Sequence, residues 1–303
     1  MITIYGGLHV LTKGRFKLGI DSSGSQYSGC ALMLNDSTNT YGAFFDRADS
    51  SVELYDTKLM YSAEADLGKS NNTCILKQVQ LSEVAAMFDN SIYQNVSIAA
   101  GPDGFRIRDQ ITSPPDRVTV SNSYHAVKFF YNYAMSGRTY RVTNLTINNC
   151  TNHIYVSSPN ASESNFKLQL IDCVGLDMTK IIKGDSKTYT NCWIEEVYTI
   201  NYLITDKDGM PIPGAKVKYI NDFGSFETTS SPTFGMVYLE VPVKRYNIAS
   251  GSLEISAPCT EIISKPGYET IINKIVPYQK ICDTLNLRHS PYASTDEKGP
   301  MHT

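Results

Sequence analysis

Four charged side chains crowd one short stretch of the sequence, and they are the first candidates for catalysis. Asp103, Arg106, Arg108 and Asp109 all lie within Gly101-Pro-Asp-Gly-Phe-Arg-Ile-Arg-Asp-Gln110. On a strand, two arginines two residues apart project to the same side. Hydrolysis of a polysaccharide needs two carboxylates about 5 to 10 Å apart, and a lyase needs a base and a cation. The competing interpretation, which we favour, is that these are solvated charges on a loop or an outer face.

Tyrosines downstream of this stretch are candidates for binding rather than catalysis. The flat rings of Tyr124, Tyr131 and Tyr133 could stack on the faces of sugars. Two of them belong to Lys128-Phe-Phe-Tyr-Asn-Tyr133, where part of the aromatic side chains should pack in the interior. We therefore predict that Tyr124, Tyr131 and Tyr133 contribute to a binding face.

Motifs for metals and cofactors are weak throughout the chain. The five histidines are scattered and show no metal-binding spacing. Asp206-Lys-Asp-Gly209 resembles the start of a calcium loop, but position twelve of that loop is Val217 where a Glu is needed. A turn between strands explains this tetrapeptide better. We predict neither a metal site nor a cofactor.

Composition and charge exclude several classes of protein. The chain has 303 residues, a formal net charge of −3 and 19% charged residues, which does not suit a nucleic-acid-binding surface. No apolar run approaches the roughly 20 residues that span a bilayer. The first residues lack the features of a signal peptide. We expect either a protein that is not exported by that route or a piece of a longer chain.

The fold is predicted from three short runs that resemble one another. They are Asn144-Leu-Thr-Ile-Asn-Asn-Cys150, Lys167-Leu-Gln-Leu-Ile-Asp-Cys173 and Lys187-Thr-Tyr-Thr-Asn-Cys192. Each alternates apolar and polar residues, as half-buried strands do, and recurrence about every 20 residues is typical of a solenoid. We predict an all-β chain that begins with a right-handed parallel β-helix over residues 1–198. Its three cysteines would stack as a ladder of buried thiols.

Earlier runs extend this repeat toward the N-terminus. They lie at 51–56, 77–82, 95–99 and 117–122. On this repeat, residues 50–198 resemble the pectate-lyase-like β-helices of carbohydrate-binding and sugar-cleaving proteins. The stretch before Ser51 is less clear, and we expect it to be truncated or capped. In particular, we expect a partner, another copy of the chain or missing sequence to cover residues 1–30, because open strand edges invite pairing.

The pattern changes near residue 199. Short strands separated by turn residues then predict an antiparallel β-sandwich over 199–289, followed by a flexible polar tail at 290–303. Thr205-Asp-Lys-Asp-Gly-Met-Pro-Ile-Pro-Gly-Ala-Lys-Val217 and Ser264-Lys-Pro-Gly-Tyr-Glu-Thr270 resemble the carboxypeptidase regulatory-like domain. That resemblance implies a transthyretin-like sandwich acting as a non-catalytic stalk, spacer or stabilising module. Cys259 and Cys282 could form a disulfide in an oxidising compartment.

Three functions are consistent with this organisation. We favour a non-catalytic structural or adhesive protein at a cell surface or outside the cell, whose β-helix presents a face to glycans. The alternatives are a polysaccharide lyase or glycoside hydrolase and a viral tail or capsid-decoration protein. The expected partners are a polysaccharide or glycan and a protein or second copy at the N-terminal end. We expect no nucleic acid and no membrane span.

Overall fold

The chain is built almost entirely from β-strands. The computed structural model describes residues 2–5, 15–18, 30–35, 51–55, 57–61, 73–77, 80–82, 86–88, 91–99, 103–107, 116–130, 136–158, 161–256 and 258–290. Within these ranges the sole helix is a 3-10 helix at Met178–Lys180. The prediction of an all-β chain is confirmed. The predicted tail after residue 290 lies outside the described ranges.

The strands of the first part are short and evenly distributed. They are β1 (Ile2–Tyr5), β2 (Arg15–Leu18), β3 (Cys30–Asn35), β4 (Ser51–Tyr55), β5 (Thr57–Tyr61), β6 (Thr73–Lys77), β7 (Gln80–Ser82), β8 (Ala86–Phe88), β9 (Ser91–Ala99), β10 (Asp103–Ile107), β11 (Asp116–Ser121) and β12 (His125–Phe130). They continue with β13 (Thr139–Thr143), β14 (Thr146–Asn148), β15 (Asn152–Ser157), β16 (Ser162–Ser164), β17 (Lys167–Ile171), β18 (Ile181–Lys183) and β19 (Thr188–Thr190).

The strands of the last part include two much longer ones. They are β20 (Trp193–Thr205), β21 (Lys216–Asn221), β22 (Gly224–Thr229), β23 (Met236–Asn247), β24 (Leu253–Ile255), β25 (Cys259–Ser264), β26 (Ile271–Ile275) and β27 (Ile281–Asn286). The chain divides into two units, the first comprising Met1–Glu195 and Tyr246–Leu253 and the second Glu196–Arg245 and Glu254–Thr303. The predicted boundary at 198/199 lies close to this division, but the return of Tyr246–Leu253 to the first unit was not foreseen.

The described strands of the first unit pair in parallel. One ladder joins β8, β10, β12, β15 and β18, another joins β13 to β17, and a third joins β16 to β19. From β11 onward, residues that face each other across a ladder keep a nearly constant separation in sequence, like that between His125 and Asn152. Alternating side chains such as Leu168 and Leu170 are buried. They form the core of this unit because alternate positions of a strand share one face.

Asparagine and aspartate make the bends between these strands. Six of them have a positive φ, and the residue after each is buried: Asn122, Asn144, Asn149, Asn165, Asp172 and Asn191. These residue types tolerate the left-handed conformation better than other side chains do. The amide of Asn149 donates to Asn122 at 2.8 Å, and that of Asn191 donates to Asn165 at 2.7 Å. The same bend therefore recurs each time the chain returns to the same ladder. We call the stretch of chain between one return and the next a pass.

The predicted ladder of cysteines is wrong. Pairing on either side of each bend places Cys150 opposite Ser123, and Cys173 opposite Leu145. It places Cys192 next to Phe166. The three runs are therefore not successive copies stacked in register. Asn-Cys and Asp-Cys mark a bend after a strand, and bends occur at several points in one pass, so the spacing between successive cysteines is not the repeat that aligns the strands.

The second unit combines an antiparallel sheet with a parallel pair. Strands β22, β21, β25 and β26 form the antiparallel sheet, and β27 pairs in parallel with β20. The predicted antiparallel arrangement thus holds for the first sheet and not for the β20–β27 pair. Side chains from β20, β21, β23 and β25 share one buried core, in which Tyr219 is fully buried. Cys259 and Cys282 are free thiols, so the suggested disulfide is absent.

Candidate binding face on the ladder of strands 8, 10, 12, 15 and 18

One row of residues crosses four neighbouring strands of this ladder. Arg106 on β10 pairs with Lys128 on β12, Lys128 pairs with Tyr155 on β15, and Tyr155 pairs with Ile182 on β18. Neighbours in such a row are about 4.8 Å apart along the hydrogen-bonding direction. We call Arg106, Lys128, Tyr155 and Ile182 the Arg106 row. An arginine, a lysine and a tyrosine thus occupy adjacent register positions.

The tyrosine of this row contacts residues on both sides of β15. The Lys128 Nζ atom lies 5.4 Å from the centroid of the Tyr155 ring, a cation–π geometry. The Tyr155 hydroxyl donates to the Gly184 carbonyl at 3.3 Å. Gly184 itself packs against the ring, and a Cβ at this position would lie 2.0 Å from Tyr155 Cζ. Glycine at 184 is therefore needed for the ring to adopt this position.

His125 adjoins Tyr155, and Tyr124 in turn adjoins His125. The His125 imidazole lies with its centroid 4.6 Å from that of Tyr155 and 4.7 Å from that of Tyr124. Its Nδ1 atom is 3.3 Å from the Asn152 amide nitrogen, which can donate to it. His125 is buried, whereas Tyr124 is 58% exposed. The outcome is a contiguous aromatic group with an accessible tyrosine at its edge.

The predicted site residues are partly brought together here. Asp103 and Arg106 lie on β10, where Asp103 pairs with His125 and Arg106 with Lys128. Tyr124 directly precedes β12 and is exposed, and its binding role stays a prediction. Arg108, Asp109, Tyr131 and Tyr133 lie outside the described residues, so their predicted roles stay predictions.

Sequence reasoning missed His125, Lys128 and Tyr155 as members of one face. Lys128 and Tyr155 belong to successive passes of the chain and meet only because the ladder aligns them. The shorter repeat inferred from the cysteines cannot place them together. The signal that would have found them is the longer interval at which the asparagine bends recur, from Asn122 to Asn149 and from Asn165 to Asn191.

A second group of carboxylates in the first unit is used to hold the chain together. Glu163 is buried and accepts hydrogen bonds from the hydroxyls of Ser136 and Ser158, at 3.0 and 2.7 Å. Asp185 accepts from the Ser158 backbone N–H at 2.6 Å and from the Tyr189 hydroxyl at 2.9 Å. Burial, followed by the hydrogen bond to Asp185, raises the pKa of Tyr189. These hydrogen bonds join residues 136–189, so both carboxylates contribute to the internal packing of the first unit.

Among the residues described, no three His, Cys, Asp or Glu side chains come together as ligands of a metal ion would. Within those ranges no helix is both long and apolar enough to cross a membrane.

Comparisons with known proteins do not assign the chain to a family. No family model and no curated protein matches the sequence. One solved structure that does match is 3-chlorocatechol 1,2-dioxygenase from Rhodococcus opacus 1CP, at 14% identity and a TM-score of 0.23. The match covers 31% of this chain and 60% of the dioxygenase chain. A similarity of this size carries no argument about fold or activity.

Proposed function

We propose that the chain is a non-catalytic structural or adhesive protein, exposed at a surface, whose first unit binds glycans. In this proposal the parallel ladders are the sides of a right-handed β-helix of the pectate-lyase-like kind. Parallel pairing between successive passes and recurring asparagine bends support that interpretation. The second unit is a transthyretin-like sandwich of the carboxypeptidase regulatory-like kind that acts as a spacer or an assembly module.

The Arg106 row is the observation that carries this proposal. Tyr155 and the exposed Tyr124 supply aromatic faces, and sugars present apolar C–H faces to such rings. Lys128 lies beside Tyr155, and Arg106 is next to Lys128 in the ladder. Cations at this spacing would hydrogen-bond the carboxylate or sulfate groups of an acidic glycan. A flat ladder presents these groups as a line, which fits an extended polymer.

Binding can be tested with three immobilised polymers: a polyuronate, a sulfated glycosaminoglycan and a neutral glucan. We expect the intact protein to bind at least one of them, and Tyr155→Ala and Lys128→Ala each to weaken binding about tenfold, which is about 1.4 kcal/mol. Tyr278→Ala and Lys280→Ala are matched controls, because both residues are exposed and lie in the second unit. Binding that is unchanged in the row variants would contradict the proposal.

The same polymers distinguish binding from cleavage. A lyase or hydrolase would release oligosaccharides from the polymer that it binds, and Arg106→Ala would abolish the release. A glycan-binding protein would retain the polymer intact over the same period. We expect intact polymer, because Glu163 and Asp185 both accept hydrogen bonds from side chains of the first unit itself.

A further inference from the structure

A short segment between strands β17 and β18 contacts the rest of the first unit through backbone hydrogen bonds of Val174, the buried side chain of Met178 and a hydrogen bond from Asp177. It begins at the bend of Asp172, forms a bridge between Val174 and Thr146, and reaches the 3-10 helix at Met178–Lys180. Strand β18 follows this helix directly and, among the described strands, it is the last one of the ladder that carries the Arg106 row. The position of the helix therefore determines where the last strand of that ladder starts.

A buried histidine anchors this segment. His153 lies on β15 and is 5% exposed, and its Nδ1 atom accepts the backbone N–H of Asp177 at 2.7 Å. Asp177 also caps the helix, since its Oδ1 atom accepts the Thr179 backbone N–H at 2.9 Å. Accepting a hydrogen bond at Nδ1 requires that this nitrogen carry no proton. The anchor therefore exists only with a neutral imidazole.

The surroundings of His153 favour that neutral form. Burial lowers its pKa first, and the nearby Lys180 lowers it further, while the carboxylate of Asp177 acts in the opposite direction. On the side of β12, the register places Ala126, which has no charge, opposite His153. Within the described residues, the charged groups that face the imidazole are thus Asp177 and Lys180, both on the segment that it anchors.

We propose that His153 is an acid-sensitive latch, and that its protonation detaches Asp177 and the start of the 3-10 helix from β15. Protonated Nδ1 becomes a donor and then faces the Asp177 N–H, which is also a donor, so the hydrogen bond is replaced by repulsion. The imidazolium in addition lies near Lys180. Detachment would loosen the start of β18 and leave the more distant strands of the first unit in place. The inference stands independently of glycan binding.

Hydrogen exchange of single amides tests the latch. Exchange of the Asp177 amide is compared with that of Leu170 on β17 from about pH 7.5 down to about pH 4, well below the ordinary pKa of histidine because burial lowers the pKa of His153, after correction for the intrinsic pH dependence. His153→Asn is the matched variant, because its side-chain oxygen can take the place of Nδ1 as acceptor and does not titrate. We expect protection of Asp177 to fall about tenfold relative to Leu170 in the wild type, and to stay constant in the variant.

An equal response in the wild type and the variant, or no response in the wild type, would overturn the proposal. A second measurement covers the case in which the variant does not fold. In the wild type, the nitrogen chemical shift of the His153 ring and the amide shift of Asp177 are followed through the same titration. Coincident midpoints support the latch, and separate midpoints rule it out.

Discussion

At the scale of single residues, the second unit contains a buried carboxylate that needs hydrogen-bond donors. Glu261 is 2% exposed, and its Oε1 atom accepts hydrogen bonds from the hydroxyls of Tyr202 and Tyr219. Its Oε2 atom accepts from the Asn273 amide at 2.8 Å. An ionised group in an apolar core is costly unless such donors replace water. The two tyrosines therefore have two roles: their rings pack in the core, and their hydroxyls donate the hydrogen bonds that stabilise the Glu261 carboxylate.

Removing one of these donors should destabilise the second unit. We expect Tyr219→Phe to lower the free energy of unfolding by about 1–3 kcal/mol, because it leaves a buried carboxylate with fewer donors. Tyr238→Phe is the matched control: its hydroxyl also donates to a carboxylate, that of Glu240 at 2.7 Å, but the residue is 59% exposed. We expect the control to change stability by less than about 0.5 kcal/mol. Urea denaturation measures both, and equal losses would contradict the role given to burial.

The same tyrosines should make the protein sensitive to alkali. Burial, followed by the hydrogen bond to Glu261, raises the pKa of both Tyr202 and Tyr219 above the ordinary value. In the unfolded chain these phenols lose their protons near pH 10. Their contribution to stability is therefore complete below about pH 10 and is lost as pH rises further, by up to about 1.4 kcal/mol per pH unit for each tyrosine.

Urea midpoints at several pH values above and below about 10 measure this loss. Tyr219→Phe should flatten the decline, because one of the two titrating groups is gone. A midpoint that stays constant above this pH in the wild type would show that the phenols ionise as readily in the folded protein as in the unfolded one.

At the scale of elements, two neighbouring segments approach each other so closely that one of them needs a glycine at the contact. Gly175 follows the bridge of Val174 and has a φ of +74°, and a Cβ placed there would lie 2.3 Å from the carbonyl oxygen of Ile147. That backbone atom cannot move away without disturbing β14. Gly137 has the same φ, but no atom lies within 4 Å of its would-be Cβ.

These two glycines separate steric overlap from backbone conformation. We expect Gly137→Ala to cost about 1 kcal/mol, since a left-handed φ is unfavourable for alanine. Gly175→Ala should cost about 1–3 kcal/mol more, because it adds overpacking to the same φ. Thermal unfolding of the two variants gives the difference directly. Equal costs would mean that the contact with Ile147 relaxes freely.

At the scale of the whole molecule, the first strand, β1, could pair with another chain. Of the strands that the structure describes, β1 pairs with β3 alone. A strand with one unpaired side can pair with another chain. In keeping with the sequence-based expectation that residues 1–30 are covered, we expect the intact protein to self-associate or to be recovered with a partner.

Sedimentation velocity over a range of concentrations, combined with amide exchange of Ile2–Tyr5, tests this expectation. Multiples of the protomer mass of 33.6 kDa that grow with concentration would support self-association. A trimer or a repeating lattice would favour the viral alternative. A dilute monomer in which these amides are well protected would contradict a partner at this edge.

Much of the local structure could be predicted from the sequence. Alternation of apolar and polar residues correctly placed strands at β4, β11 and β17. It failed at β22, where Gly224–Thr229 carries small and polar residues and is exposed along most of its length. It also failed for the cysteines, since an Asn-Cys or Asp-Cys pair identifies a bend without identifying the ladder in which the preceding strand pairs.

The candidate face shows where prediction from sequence ends. Tyr124 and the pair Asp103 and Arg106 were singled out by residue type and proximity in the chain. Their neighbours Lys128 and Tyr155 come from separate passes and meet through the pairing of β12 with β15. Which residues pair depends on the number of residues in the loops between strands. The alternation of apolar and polar residues does not reveal that number.

The sequence by itself determined that the chain is all-β and where several of its strands lie, because alternation acts over a few residues. Tertiary structure decided the register, and with it which side chains meet. Register depends on how many residues each pass uses before it returns to the same ladder, and changing it by one residue moves every side chain to the opposite face. That is why several strands could be placed from the sequence, whereas the face that they form could not.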